Sequence, residues 1–185
     1  YLSSYDNRFI ILLQFKKRKN MNTVILYIYN CITIVLPETK CFGFKNSVLR
    51  LARVTIGKNV RICSSTKILG NGTLSIGDNT WIGHQGLIIS SSNISIGSNI
   101  DIAPRVYIGT GTHLIDLNSE NIAGLGVSKD VVIRDGSWIG VNSTLLPGTI
   151  IGKKNIIAAG SVITKSTEDN SMYGGVPAKL IKKLS

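Results

Sequence analysis

Apolar positions along this chain recur neither every 3.6 residues nor every second residue, but every six. They stand at Ile56, Ile62, Ile68, then Ile76, Ile82, Ile88, then Ile96, Ile102, Ile108, and after a gap at Ile133, Ile139, Leu145, Ile151, Ile157 and Ile163. Fourteen of these fifteen positions are isoleucine, and in seven of them glycine follows at once. Four places on, the residue is mostly small: Thr66, Thr80, Gly86, Ser92, Thr112, Ser137, Ser143, Thr149 and Ser161. This spacing excludes an amphipathic helix and an open half-buried sheet.

A β-branched residue every sixth place, with a small residue opposite and glycine after it, suits short strands joined by tight corners. Three strands close a triangular coil of 18 residues, and stacked coils bury the isoleucines in one column at a spacing of about 4.8 Å. The pattern therefore predicts an all-β fold, a single-stranded parallel β-helix of about five triangular coils over residues 56–167. Two-residue slips from 68 to 76 and from 88 to 96 predict bulges stacked at one corner. Between Ile108 and Ile133 the extra residues must leave the coil, which predicts a protruding loop at 110–131. Residues 168–185 read as a C-terminal tail with a short helix opened by Pro177.

The N-terminal third is different in kind. Residues 1–67 carry 12 of the 21 basic residues against two of the ten acidic ones, whereas the remainder is nearly neutral. Residues 1–20 read as a leader of uncertain origin and 21–55 as a basic and apolar helical segment. The run VILYIYNCITIVL at 24–36 is too short to span a bilayer, which needs about 20 residues. It reads as a helix packed on the β-helix, or as an interfacial segment whose neighbouring lysines and arginines meet anionic lipid. A content of 43% hydrophobic and 17% charged residues excludes a disordered tail. Cys31, Cys41 and Cys63 show no paired metal spacing and are odd in number, which points to a reducing, cytoplasmic compartment and to no metal ligand set. The basic charge comes without a nucleic-acid recognition motif, so no nucleic-acid partner is expected.

The long loop begins GTGTHLID and carries His113 at its root, with Asp116 close behind. A long loop on a rigid repeat is a common seat of function. Histidine there suits a general base, since its ordinary pKa lies near neutrality.

From Trp138 to Lys183 the stretches WIGVNSTLLPGTIIG, IIAAGSVITK and GGVPAKLIKKL resemble the hexapeptide-repeat acyltransferases, in particular the galactoside, maltose and surface-polysaccharide O-acetyltransferases. The likeness runs over residues 56–184. It implies that the β-helix is left-handed, that the chain is an acyltransferase using acetyl-CoA, and that three copies associate with an active site between neighbours. His113 would be the general base that deprotonates a sugar hydroxyl for direct attack on the thioester. The resemblance places oxyanion donors near Gly140 and Val141. It gives coenzyme A Trp138, Ala159, Gly160, Thr164 and Lys165, together with Lys179 and Lys182 of the tail, whose ammonium groups suit phosphates. Gln85 stands where galactoside-type relatives carry an acceptor-binding asparagine, so Gln85, its neighbour His84 and Asp116 are the candidate acceptor contacts. An amine acceptor, on an amino sugar or a xenobiotic, keeps the fold and the donor, and a non-catalytic scaffold keeps the fold alone. Carbonic anhydrases built on the same repeat bind zinc through three histidines, and this chain has two.

Overall fold

The structure, a computed structural model describing residues 19–184, is a parallel β-solenoid of three sheets. The first sheet holds Thr55–Ile56, Thr73–Ile76, Asn93–Ile96, Val131–Ile133 and Ile150–Ile151. The second holds Arg61–Ile62, Trp81–Ile82, Asp101–Ile102, Trp138–Ile139 and Ile156–Ile157, continued by Ser171–Gly175 and Ala178–Lys183. The third holds Lys67–Leu69, Leu87–Ile89, Tyr107–Gly109, Thr144–Leu145 and Val162–Ile163. Hexad stacks on hexad: Ile62 pairs with Ile82 and Ile82 with Ile102, which pairs with Ile139 and so on to Ile157. All fifteen hexad residues are at most 9% exposed. Burying each side chain contributes about 1.5–3 kcal/mol before the entropy of ordering is counted.

The small residues do more than make room. Thr66 donates its hydroxyl to Gly83 O at 2.6 Å, Thr80 to Gly97 O at 3.0 Å, and Ser137 to Gly152 O at 2.9 Å. Each hydroxyl thus satisfies a carbonyl of the next coil at a corner where the ladder is interrupted. At the slipped corner the buried members are Ser90 and Thr110, not Ser92 and Thr112, which are part-exposed and exposed. The two extra residues move the inward hydroxyl back, and they add a second inward column of Leu74, Ile94 and Val131 to the first sheet.

The segment at 110–131 leaves the solenoid at this same corner and folds as an antiparallel hairpin of Gly111–Ile115 with Ala123–Ser128. The predicted C-terminal helix is absent: Ala178–Lys183 is a strand that folds back on Ser171–Gly175, which in turn pairs in parallel with Ile156–Ile157. An eight-residue helix is marginal in isolation, and the open edge of the last coil offers a row of backbone partners that outweighs it. Gly175, at φ 102°, makes the turn.

Two helices close the other end, α1 (Thr23–Ile32) and α2 (Phe42–Leu51). Asn22 caps α1 by accepting from the Val24 and Ile25 amides, and Leu26, Tyr29 and Asn30 form its buried side. The first coil would otherwise present three unpaired edges. Arg50 donates to Ile56 O and Gly57 O, Lys45 to Ile62 O, and Asn46 to Val60 O. Asn30 both donates to Ile68 O at 2.8 Å and accepts from the Ile68 amide at 3.3 Å. The segment therefore packs on the solenoid. Among the described residues no helix is long and apolar enough to cross a membrane. The leader read at 1–20 lies, up to residue 18, outside the described residues.

Candidate active site

The hairpin positions His113 by register. Its strands pair Gly111 with Ser128, Thr112 with Val127 and His113 with Gly126, and a bulge then interrupts the ladder before Ile115. Bulges re-aim the side chains beside them. The His113 Nδ1 lies 2.9 Å from Gly124 O. A carbonyl oxygen can only accept, so Nδ1 carries the proton, and in the neutral ring Nε2 is left as the acceptor. The ring is exposed, so that lone pair is open to an incoming hydroxyl. Asp116 acts locally instead, since its carboxylate accepts from the Asn118 amide at 3.0 Å and shapes the hairpin turn.

Most of the other candidate residues fall on two corners. Between the second and third sheets, one corner is stacked coil upon coil: Gln85 N–H reaches Ser65 Oγ, Arg105 N–H reaches His84 O, Asn142 N–H reaches Pro104 O, and Gly160 N–H reaches Val141 O. His84, Gln85, Gly140, Val141, Ala159 and Gly160 all belong to this column, and Trp138 stands beside it on the second sheet, 55% exposed. Gln85, Arg105, Asn142 and Gly160 adopt positive φ of 55°, 59°, 57° and 70°. Gly140 sits so close to the coil beneath that a Cβ there would lie 2.6 Å from Ala159 N and Ile157 O, whereas a Cβ on Gly160 would meet nothing within 4 Å. The Gly140 amide, expected as an oxyanion donor, is spent on Ile157 O at 2.8 Å. The Val141 amide donates to no backbone carbonyl among the described residues, so of the two it alone remains free for that work.

Thr164 and Lys165 lie on the corner between the third and first sheets, below the root of the hairpin, where Lys129 also stands. Within one chain the third sheet therefore separates His113, Thr164 and Lys165 from the Val141 and Gly160 column. Lys179 and Lys182 are exposed on the last strand, in place of the helix face expected for them. Arg105 is a member of the corner column that sequence reasoning missed. It occupies the third place after Ile102, as Gln85 follows Ile82, and that offset was the signal for it.

His84 also has a partner: its Nδ1 lies 3.3 Å from Glu38 Oε2. Burial alone would raise the Glu38 pKa, but the amide and hydroxyl of Ser65, both at 3.0 Å, together with His84 hold it below the ordinary carboxylate value. Behind this pair, burial pushes the Lys45 ammonium down and the Cys63 thiol up.

The bacterial transferase hexapeptide family (six repeats) matches residues 130–165, the last two coils, which hold the Gly140, Val141, Ala159 and Gly160 end of the corner column. A Dictyostelium discoideum protein classed with the acetyltransferases is 32% identical over 149 residues, 76% of this chain and 78% of its own. The chain belongs to the hexapeptide-repeat acyltransferase family. The galactoside O-acetyltransferase of Lactococcus lactis is 33% identical over 131 residues, covering 70% of this chain and 55% of that enzyme. Among solved structures, a hexapeptide-repeat acetyltransferase of Vibrio cholerae complexed with acetyl coenzyme A superposes with a TM-score of 0.72 over 100% of this chain and 93% of that one, at 19% identity. The solenoid thus matches the left-handed β-helix of the hexapeptide-repeat fold. The chain spans about half the length of several curated relatives that it matches, between 40% and 56%.

Proposed function

We propose that this hexapeptide-repeat protein is an O-acetyltransferase that moves an acetyl group from acetyl-CoA to a sugar hydroxyl, in a surface polysaccharide or its precursor. The observation that carries the reading is His113, held by Gly124 O with its basic nitrogen facing out from the one long insertion in the repeat. Bound acetyl-CoA supplies an activated acetyl group as a thioester. His113 takes the proton of the acceptor hydroxyl as its oxygen attacks the thioester carbonyl and returns it to the departing coenzyme A sulfur, while the free Val141 amide donates to the developing negative charge. Open space above Gly160 and the exposed Arg105 on the same corner, with Lys179 and Lys182 on the last strand, fit a phosphate-bearing donor, to which Lys165 would reach from the facing corner of a neighbouring copy.

Because the third sheet separates His113 from the Val141 corner, the complete site requires a neighbouring copy to supply the missing half. The hairpin supports this, since Leu114, Ile115, Leu117, Ile122 and Leu125 are 52–80% exposed on it. So large an apolar display on one hairpin marks an association surface, and a homotrimer closes it symmetrically. Peripheral contact with anionic lipid rests on the outward side of the first helices, where Val24, Tyr27, Ile34 and Val35 are 65–82% exposed. Salt-reversible sedimentation with anionic vesicles tests that contact.

The test of function is thiol release from acetyl-CoA against a panel of sugars and amines. A sugar-dependent signal that His113→Ala lowers by about 10²–10⁴-fold is expected. Transfer to amines alone would redirect the acceptor, and near-full activity in His113→Ala would remove the base. Well-folded protein that binds no coenzyme A in calorimetry would leave only a scaffold.

A further inference from the structure

Three metal-ligating side chains from distant parts of the sequence meet under the N-terminal cap. Glu38 comes from the connector between the two helices, Cys63 from the first coil and His84 from the second. One ligand atom of each lies within 4.8 Å of the others. Among the described residues this is the only such grouping. We propose that Glu38, Cys63 and His84 form a site for a borderline-soft divalent metal ion of the zinc type, which fastens the helical cap to the first two coils.

The donor set is one that zinc takes: a thiolate, an imidazole and a carboxylate. A tetrahedral ion with bonds of about 2.1 Å has ligand-to-ligand edges of about 3.4 Å. His84 Nδ1 and Glu38 Oε2 stand 3.3 Å apart, so imidazole and carboxylate already meet at about the length of an edge, and Cys63 Sγ, within 4.8 Å of a ligand atom of each, would close by up to about 1.2 Å. An outer layer is in place as well. The Ser65 amide and hydroxyl both donate to Glu38 Oε2 and leave Oε1 as the oxygen for the ion, and Ser65 Oγ is in turn fixed by the Gln85 amide at 2.9 Å, which is how ligands are oriented in built sites.

Lys45 is the obvious objection, and its geometry answers it. Its three N–H groups go to Glu38 O, Ile62 O and Ser64 Oγ, so none occupies the Cys63 sulfur or the Glu38 carboxylate. The two negative ligands balance a divalent ion and leave the Lys45 charge as it was. With the side chains of His84 and Glu38 43% and 44% exposed, water can complete the coordination.

The experiment titrates chelator-treated full-length protein with Co²⁺ and follows thiolate-to-cobalt absorption, then measures zinc content and melting temperature. One ion per chain is expected. The band should be lost in Cys63→Ser and His84→Gln, and kept when the exposed Cys31 and Cys41 are both changed to serine. Zinc should raise the melting temperature of the wild type and leave that of His84→Gln unmoved. Because Cys63 is buried and its replacement can disturb the first coil, His84→Gln at the surface is the deciding variant. No thiolate band, a band surviving His84→Gln, or one that depends on Cys31 and Cys41 overturns the site.

Discussion

Asn30 is the most exacting test of the idea that the helices exist to close the first coil. Its amide makes a two-way pair with the backbone of Ile68, donating to the carbonyl at 2.8 Å and accepting from the N–H at 3.3 Å, as a neighbouring strand would. Ile68 is 0% exposed and Asn30 8%, so Asn30→Ala strands one donor and one acceptor. Each buried group left without a partner costs about 1–3 kcal/mol. The groove beside it, lined by Leu26, Tyr27, Ile34 and Leu69, lets water approach and puts the sum near the low end. About 2–3 kcal/mol corresponds to a drop in melting temperature of about 5–10 °C for a chain of this size. Circular dichroism against temperature measures it, with the exposed Val35→Ala as the surface control. Asn30→Asp should cost at least as much, because it loses the donor and turns a carboxylate oxygen toward the buried Ile68 carbonyl. A melting temperature for Asn30→Ala within about 2 °C of wild type would show that the helix packs there without capping anything.

Other expectations follow from single contacts. Tyr29 is 1% exposed with no partner for its hydroxyl among the described residues, so Tyr29→Phe should leave stability unchanged or raise it by up to about 1 kcal/mol; a larger loss in chemical denaturation would reveal a bound partner. Burial first, with Cys63 adding to it, raises the Tyr29 pKa far above its usual 10.0, so above pH 10.0 the unfolded chain sheds a proton that the native chain keeps. Stability should therefore fall with rising pH in wild type more steeply than in Tyr29→Phe. Thr80→Val deprives Gly97 O of its donor and should cost about 1–2 kcal/mol in urea unfolding, whereas the same change at exposed Thr112 should cost almost nothing. Gly140→Ala forces the backbone off Ala159 and Ile157, and acetyl transfer should fall with it while the hairpin mutation Asp116→Asn leaves transfer nearly intact.

How much of this was legible beforehand divides along a physical line. The hexad positions, fourteen isoleucines and Leu145, announced the coil because every coil repeats the same inward contact, so fifteen weak signals add in phase. The hairpin was legible only as surplus length: GTGTHLIDLNSENIAGLGVS offers no alternation strong enough to declare two strands, and what pairs them is the closed corner at Thr110 and Asp130. Asp130 shows this directly, since its carboxylate accepts from the Ser92 hydroxyl and the Asn93 amide one coil away. The tail was misread for the related reason that AKLIKK has acceptable helix propensity alone. Its strand exists only because the coil ending at Ile156–Ile157 leaves an edge to fill.

The same division explains where chemistry can reside on this fold. A column position is fixed by neighbours above and below, and a polar group there must spend itself on the adjacent coil, as Thr66, Thr80 and Ser137 do. A side chain or amide escapes that obligation where the repeat is broken or at the outward turn of a corner. The hairpin frees His113 Nε2, the corner after Gly140 frees the Val141 amide, and the connector before α2 brings Glu38 against Cys63 and His84. Of the three, periodicity locates the hairpin alone, as the surplus between Ile108 and Ile133, whereas the other two are defined by what the coils fail to pair. An insertion in the repeat and the outward turns of its corners are therefore where catalytic residues should be sought in this fold.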